Sequence, residues 1–181
     1  MSGLSLYQQV LGADYCLLPA PLQQFHALEG HHVLDGWVGI EAPASPVARL
    51  LAICLRAPLA ARQGPIRFEL ESCAASERWV RHFPGKTMAS RLSLKSGHIV
   101  ESLGVARLAF AIHAQPEKLQ MQLVRMHFLG VPCPRMCLPA VVAEETAGNG
   151  RLHFRVRASL PFIGVVAGYQ GYLELPAGEP E

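Results

Sequence analysis

The sequence predicts a mainly β (α+β) fold. Its strands form an antiparallel meander of about eight to ten members, strongly curled into a barrel or half-barrel, with short N-terminal helices and one covering helix near residues 46–57. Three observations lead there. From Pro65 onward apolar and polar residues alternate, as in Ile66, Phe68 and Leu70 against Arg67, Glu69 and Glu71, the period of a strand with one buried face. Turn residues punctuate the runs at Pro84-Gly85, Ser96-Gly97, Gln115-Pro116-Glu117 and Gly148-Asn149-Gly150, spacings too short for parallel crossovers. The runs are also too many for a flat sheet, because a twisted sheet of that width curls.

In chain order, Leu4, Leu6, Tyr7, Val10 and Leu11 make a short amphipathic helix ended by Gly12. Leu18 to Leu28 makes a second, with proline near its start and Gly30 closing it. His32 to Glu41 is a strand in which Gly36 and Gly39 are weak or bent points. Ser45-Pro46 starts the covering helix: serine caps an orphan N–H and proline at the first helical position loses nothing. Val47, Leu50, Leu51, Cys54 and Leu55 give that helix an apolar face, flanked by Arg49 and Arg56, and it ends before Pro58. Further alternating runs hold Leu92 and Leu94, then Leu108, Phe110 and Ile112, then Leu152, Phe154, Val156, Ala158 and Leu160. Between Leu123 and Val124 the apolar phase slips, which predicts a bulge.

The 181 residues are 50% hydrophobic, enough apolar side chain to offset the entropy of ordering and to exclude a disordered chain. The expectation is one barrel-like domain over 1–175, with 176–181 a frayed tail. The longest uncharged stretch, Ala158 to Leu173, is too short to span a bilayer as a helix and holds one proline and three glycines. The first residues carry neither a basic nor a long apolar segment, so a cytoplasmic location is expected, with the five cysteines as reduced thiols filling the core. Net charge is +2, but Arg62 to Arg157 holds 14 Arg or Lys against 7 Asp or Glu. That excess suits solvated strand faces, an anionic ligand or a membrane surface.

Catalytic signatures are scarce. The chain has no glycine-rich phosphate loop, no HExxH and no GxSxG. His127, Cys133 and Cys137 lack the spacing of a metal knuckle, so no metal and no cofactor are expected. Nucleic acid is not expected either, because the aromatic residues of the basic strands alternate onto the opposite face. In the limb Glu77 to Lys86, the residues Glu77, Trp79, Arg81 and Phe83 share one face, with Arg78, Val80 and His82 on the other. Trp79 and Arg81 together make either a packed cation–π cluster or the polar anchor of an apolar cavity.

The order of several blocks is similar to a known family. These are Leu6-Tyr7 with Leu11-Gly12, Leu18-Pro19 with Leu22 and His26, and Glu77-Arg78-Trp79 with Arg81 and Phe83. Ser90-Arg91, Glu101, Gly130-Val131-Pro132, Pro134, Leu138-Pro139, Glu144, Pro161, Gly164, Tyr169 and Gly171 follow in order. The chain resembles domain-of-unknown-function family 4166, an uncharacterised, mainly bacterial family often found C-terminal to saccharopine-dehydrogenase-like domains. The resemblance implies no activity. It marks His26, Arg81, Glu101, Glu144 and Tyr169 as polar enough to line a site, with Trp79 packed beside them.

The expected function is binding of a hydrophobic or lipid-like small molecule in the barrel interior, with Arg81 toward its head group and the helix of residues 46–56 closing the mouth and available for peripheral membrane contact. One alternative is an isomerase or cyclase using the same cavity, with His26 or Glu101 as general base. The other is a regulatory module docking on a saccharopine-dehydrogenase-like protein.

Overall fold

The structure, a computed structural model, describes residues 4–176. Ten antiparallel strands close into a barrel. In chain order they begin with β1 (Gly30–Glu41), β2 (Arg62–Cys73), β3 (Ser76–Phe83), β4 (Lys86–Lys95), β5 (His98–Leu103) and β6 (Ala106–Ala114). After β7 (Lys118–Phe128) comes a two-residue stub, β8 (Val131–Pro132), which pairs only with the end of β7. Then follow β9 (Ala140–Gly148), β10 (Arg151–Leu160) and β11 (Gly164–Glu174). The ring runs β6-β5-β4-β3-β2-β1-β11-β10-β9-β7 and is closed by the pairing of β6 with β7. The meander is therefore a full barrel, not half of one.

The four expected turns all join neighbouring strands. The bulge in β7 is present too: Phe110 faces Leu123 but Ala109 faces Arg125, so Val124 is the extra residue. A second register shift, in β10 at Ala158/Ser159, has no comparable signal in the sequence. β1 and β11 run unusually close. A Cβ at Gly36 would collide with the carbonyl oxygen of Tyr172, and one at Gly171 with that of Trp37. These two glycines admit backbone where any side chain would push the strands apart.

Two helices plug one end of the barrel. Helix α1 (Leu6–Leu11) packs against β4, β5 and β6, and α2 (Ala20–His26) against β9 and β10. Ser5 and Gln8 form a capping box at the start of α1, and Gln9 Nε2 donates to the Ala74 carbonyl (2.8 Å), tying the helix to the β2–β3 turn. Between the helices the chain makes a 3₁₀ turn, Gly12–Leu17. Leu6, Tyr7, Leu22, Phe25 and His26 are buried inside this plug.

Helix α3 (Pro46–Cys54) crosses the opposite end. Ser45 caps it as expected, its Oγ accepting from Ala48 N–H at 3.1 Å and donating to the Ile163 carbonyl at 2.8 Å. Its buried side matches the expected one only in part. The fully buried residues are Ala48 and Ala52, with Leu51 and Leu55 packed against the core, whereas Val47, Leu50 and Ile53 are exposed. Alanines let the helix lie close on the strand ends, while Val47, Leu50 and Ile53 are turned outward.

The five cysteines are free thiols, but they do not fill the core. Cys16, Cys73 and Cys137 are exposed and Cys54 and Cys133 half-buried, because they sit at turns and element ends rather than on inward strand positions. Among the described residues no helix is long and apolar enough to cross a membrane. Pro176 is exposed and its carbonyl accepts from Gln24 Nε2; the rest of the expected tail lies outside the described residues.

Candidate functional site

The inward rows of the strands enclose a cavity of about 140 Å³. Its walls are mostly apolar: Phe68, Phe110, Leu152, Phe154 and Val156 from the strands, and Leu55 and Ala57 from the segment after α3. Met88, Met121 and Met126 add three flexible side chains that can repack around a guest. Phe25 of α2 forms the floor, in a tilted contact with Phe68 (5.8 Å between ring centroids) and an edge contact with Trp79 (6.2 Å).

A few polar groups interrupt the apolar lining. Because β3 is in strand phase, Glu77, Trp79, Arg81 and Phe83 all point inward, the shared face that their spacing predicts. The Arg81 guanidinium lies 5.0 Å from the Trp79 ring and donates to Ser90 Oγ (3.1 Å) and Glu101 Oε1 (3.5 Å). Burial disfavours its charge, but Tyr169 and Glu101 beside it outweigh that and raise its pKa above the ordinary value. Tyr169, from β11, packs its ring on Phe83 and Phe154, and burial raises its phenol above the usual range. Arg81, Trp79, Glu101 and Tyr169 thus all line the cavity, reaching its interior from β3, β5 and β11.

Of the other two expected residues, His26 stands outside the cavity lining and Glu144 only borders it. His26 is buried in the plug behind the Phe25 floor, where its Nε2 lies 2.6 Å from Glu145 Oε2. Glu144 stands one residue out of phase with the inward row, on the outer row of β9, paired with Lys118 Nζ at 2.8 Å. Its neighbour Glu145 is the inward carboxylate and joins the cavity wall.

Besides Glu145, two polar residues extend the cluster beyond those the sequence singled out as site residues. Glu77 is buried and accepts from Trp79 Nε1 at 2.8 Å. Burial raises its carboxyl above the usual range, with Glu145 adding to the rise and His26 and the indole N–H opposing it. Tyr7 stacks on His26 with ring centroids 3.7 Å apart, and burial raises its phenol well above the usual range. Tyr7 Oη and His26 Nδ1 have no hydrogen-bond partner among the described residues. A buried polar atom left unpaired costs about 1–3 kcal/mol, so this cluster is the strained part of an otherwise greasy interior.

The barrel wall is split beside the cavity. The pairing of β7 with β9 stops at Met121–Ala143, while Ala140 to Val142 pair only with β10. The chain from Leu129 to Pro139 covers the split, held by Cys133 N–H donating to the Met126 carbonyl at 2.9 Å. Met126, Pro139 and Val141 line the cavity at this place, so the thinnest part of the wall opens toward the α3 end.

A family model described as a domain of unknown function (DUF4166) matches residues 18–173. A search of curated proteins finds no match.

Proposed function

The chain belongs to the DUF4166 family, and we propose that it binds an apolar small molecule in its barrel interior. The observation that carries this reading is the cavity of about 140 Å³, with greasy walls and a few polar groups. An apolar cavity of about 150 Å³ is known to hold benzene, so the space suits a ring or a chain segment, and the three methionines allow something larger. The polar groups define the guest further. Arg81 already has Glu101 as its counter-charge, and a second anion would enter an interior that also holds Glu77 and Glu145. A neutral hydroxyl or carbonyl, accepting from the guanidinium donors that Ser90 and Glu101 leave free, fits better than a carboxylate or phosphate.

Titration with an environment-sensitive apolar dye tests the reading. Ala143→Phe, which fills the cavity from β9, should abolish the dye signal while the fold survives, and Ala158→Phe from β10 should act alike. Unchanged dye binding in both folded variants would place the dye outside the cavity and remove the proposal.

One observation favours a catalytic use of the same space. Glu145 lies on the wall with His26 at 2.6 Å behind it, the arrangement of an oriented general base. An isomerase or cyclase of this kind would lose its activity in Glu145→Gln while still binding its substrate.

A further inference from the structure

The apolar residues that meet water are concentrated at one end. Phe162, fully exposed, tips the β10–β11 turn, Val47, Leu50 and Ile53 line the outer side of α3, and Leu129 and Met136 project from the chain covering the wall split. These segments touch. Ser45 at the start of α3 bonds the Ile163 carbonyl, Val105 N–H bonds the Cys54 carbonyl at its end, and Leu129 N–H bonds the Val105 carbonyl. Single exposed apolar side chains need no explanation, but a row of them across adjoining segments marks an interaction surface.

Charge at this end is one-sided. Arg49, Arg56, Arg62, Lys86, Arg107, Arg125 and Arg135 are exposed, and none contacts a carboxylate among the described residues. The exposed carboxylate here, Glu41, is engaged by Arg157 at 3.0 Å. At the plugged end acids and bases are mixed, as in the Arg78–Glu71 and Arg151–Glu174 pairs.

We propose that the α3 end is a docking face for an anionic lipid bilayer. Its apolar tips enter the interface and its arginines meet the lipid phosphates and carboxylates, the two attractions that hold peripheral proteins on membranes. Protruding tips suit a deformable apolar phase better than a shaped protein pocket. A second copy of the chain would bring like charges face to face. The wall split opens toward the same end, so a guest taken from the bilayer would have the shorter way in. The docking itself stands on the outer surface and does not depend on the cavity being filled.

Sedimentation with vesicles tests it. The protein should sediment with phosphatidylcholine vesicles containing roughly 30% phosphatidylserine, remain in solution with phosphatidylcholine alone, and be released by salt. Leu50→Glu with Leu129→Glu should lower partitioning at least tenfold, and Arg49→Gln or Arg135→Gln by roughly fivefold each. These positions are exposed, so melting temperatures should match the parent protein. Absence from anionic vesicles, or partitioning that the glutamates leave unchanged, would overturn the proposal. So would a concentration-dependent dimer in vesicle-free buffer that Leu129→Glu dissolves, since the face would then belong to a second copy. Dye binding by Leu50→Glu/Leu129→Glu reads the cavity separately, so failure of docking and failure of ligand binding are told apart.

Discussion

Glu77 and Arg81 sit four residues apart on β3 and face the same interior, yet burial acts on them in different ways. Burial raises the Glu77 carboxyl, and neither the nearby His26 nor the one hydrogen bond it accepts from Trp79 offsets that. Between the ordinary carboxyl pKa and that raised value, the folded state keeps a proton the unfolded state has released. Stability therefore falls as pH rises through that window and is fullest below it. Glu77→Gln keeps the acceptor for Trp79 and removes the slope. Urea titrations should show its advantage over the parent growing as pH rises above the ordinary carboxyl range, and an unchanging difference would contradict the assignment. Arg81, by contrast, is held by Ser90 and Glu101. Arg81→Met strands the Glu101 charge and should cost about 3–5 kcal/mol, most of it recovered in Arg81→Met/Glu101→Leu, as denaturation of the two variants would show. The inward Trp79 and Arg81 were readable because strand phase alone fixes them. Glu145 was not, because Glu144 and Glu145 are adjacent and only the register of β9 against β7 and β10 decides which enters the barrel. The part played by Tyr7 was hidden for another reason: its neighbours His26 and Glu145 are distant in sequence.

Helix α3 shows what a local signal carries and where it stops. Its start was readable because Ser45-Pro46 satisfies the first-turn N–H groups by local chemistry. Which side it buries was not readable, since Val47 and Leu50 carry more apolar surface than Ala48 and Ala52 and periodicity alone favours burying them. The close approach to the strand ends selects the alanines. Ser45 also bonds Ile163, joining the helix to the β10–β11 turn. Ser45→Ala should therefore cost about 1–2 kcal/mol in chemical denaturation, the upper part of the range for a lost cap, and a loss of only a few tenths would show the second bond to be immaterial. Among the strands, four turns of proline, glycine and asparagine announced themselves. The turn at Ala74-Ala75 did not, having no residue that favours a turn over a strand.

As a whole the molecule is a barrel with unlike ends. Two helices seal one with buried side chains and a polar cluster, and a thin helix with loops covers the other, greasy and cationic on its outer side. Alternation implied a curled sheet, but closure depended on β6 meeting β7 as well as β5, a pairing that turn spacing allows without demanding. The cavity likewise follows from how ten inward rows fill one cylinder, and no single segment records it. An association with a dehydrogenase-like chain rests on the family resemblance alone, and co-purification from the native host would test it. Ligand occupancy answers to native mass spectrometry of the protein purified from that host. A retained apolar molecule, absent from Ala143→Phe, is the expected mass difference. A bare chain mass in both proteins, with no dye uptake by either, would contradict a binding role for the barrel.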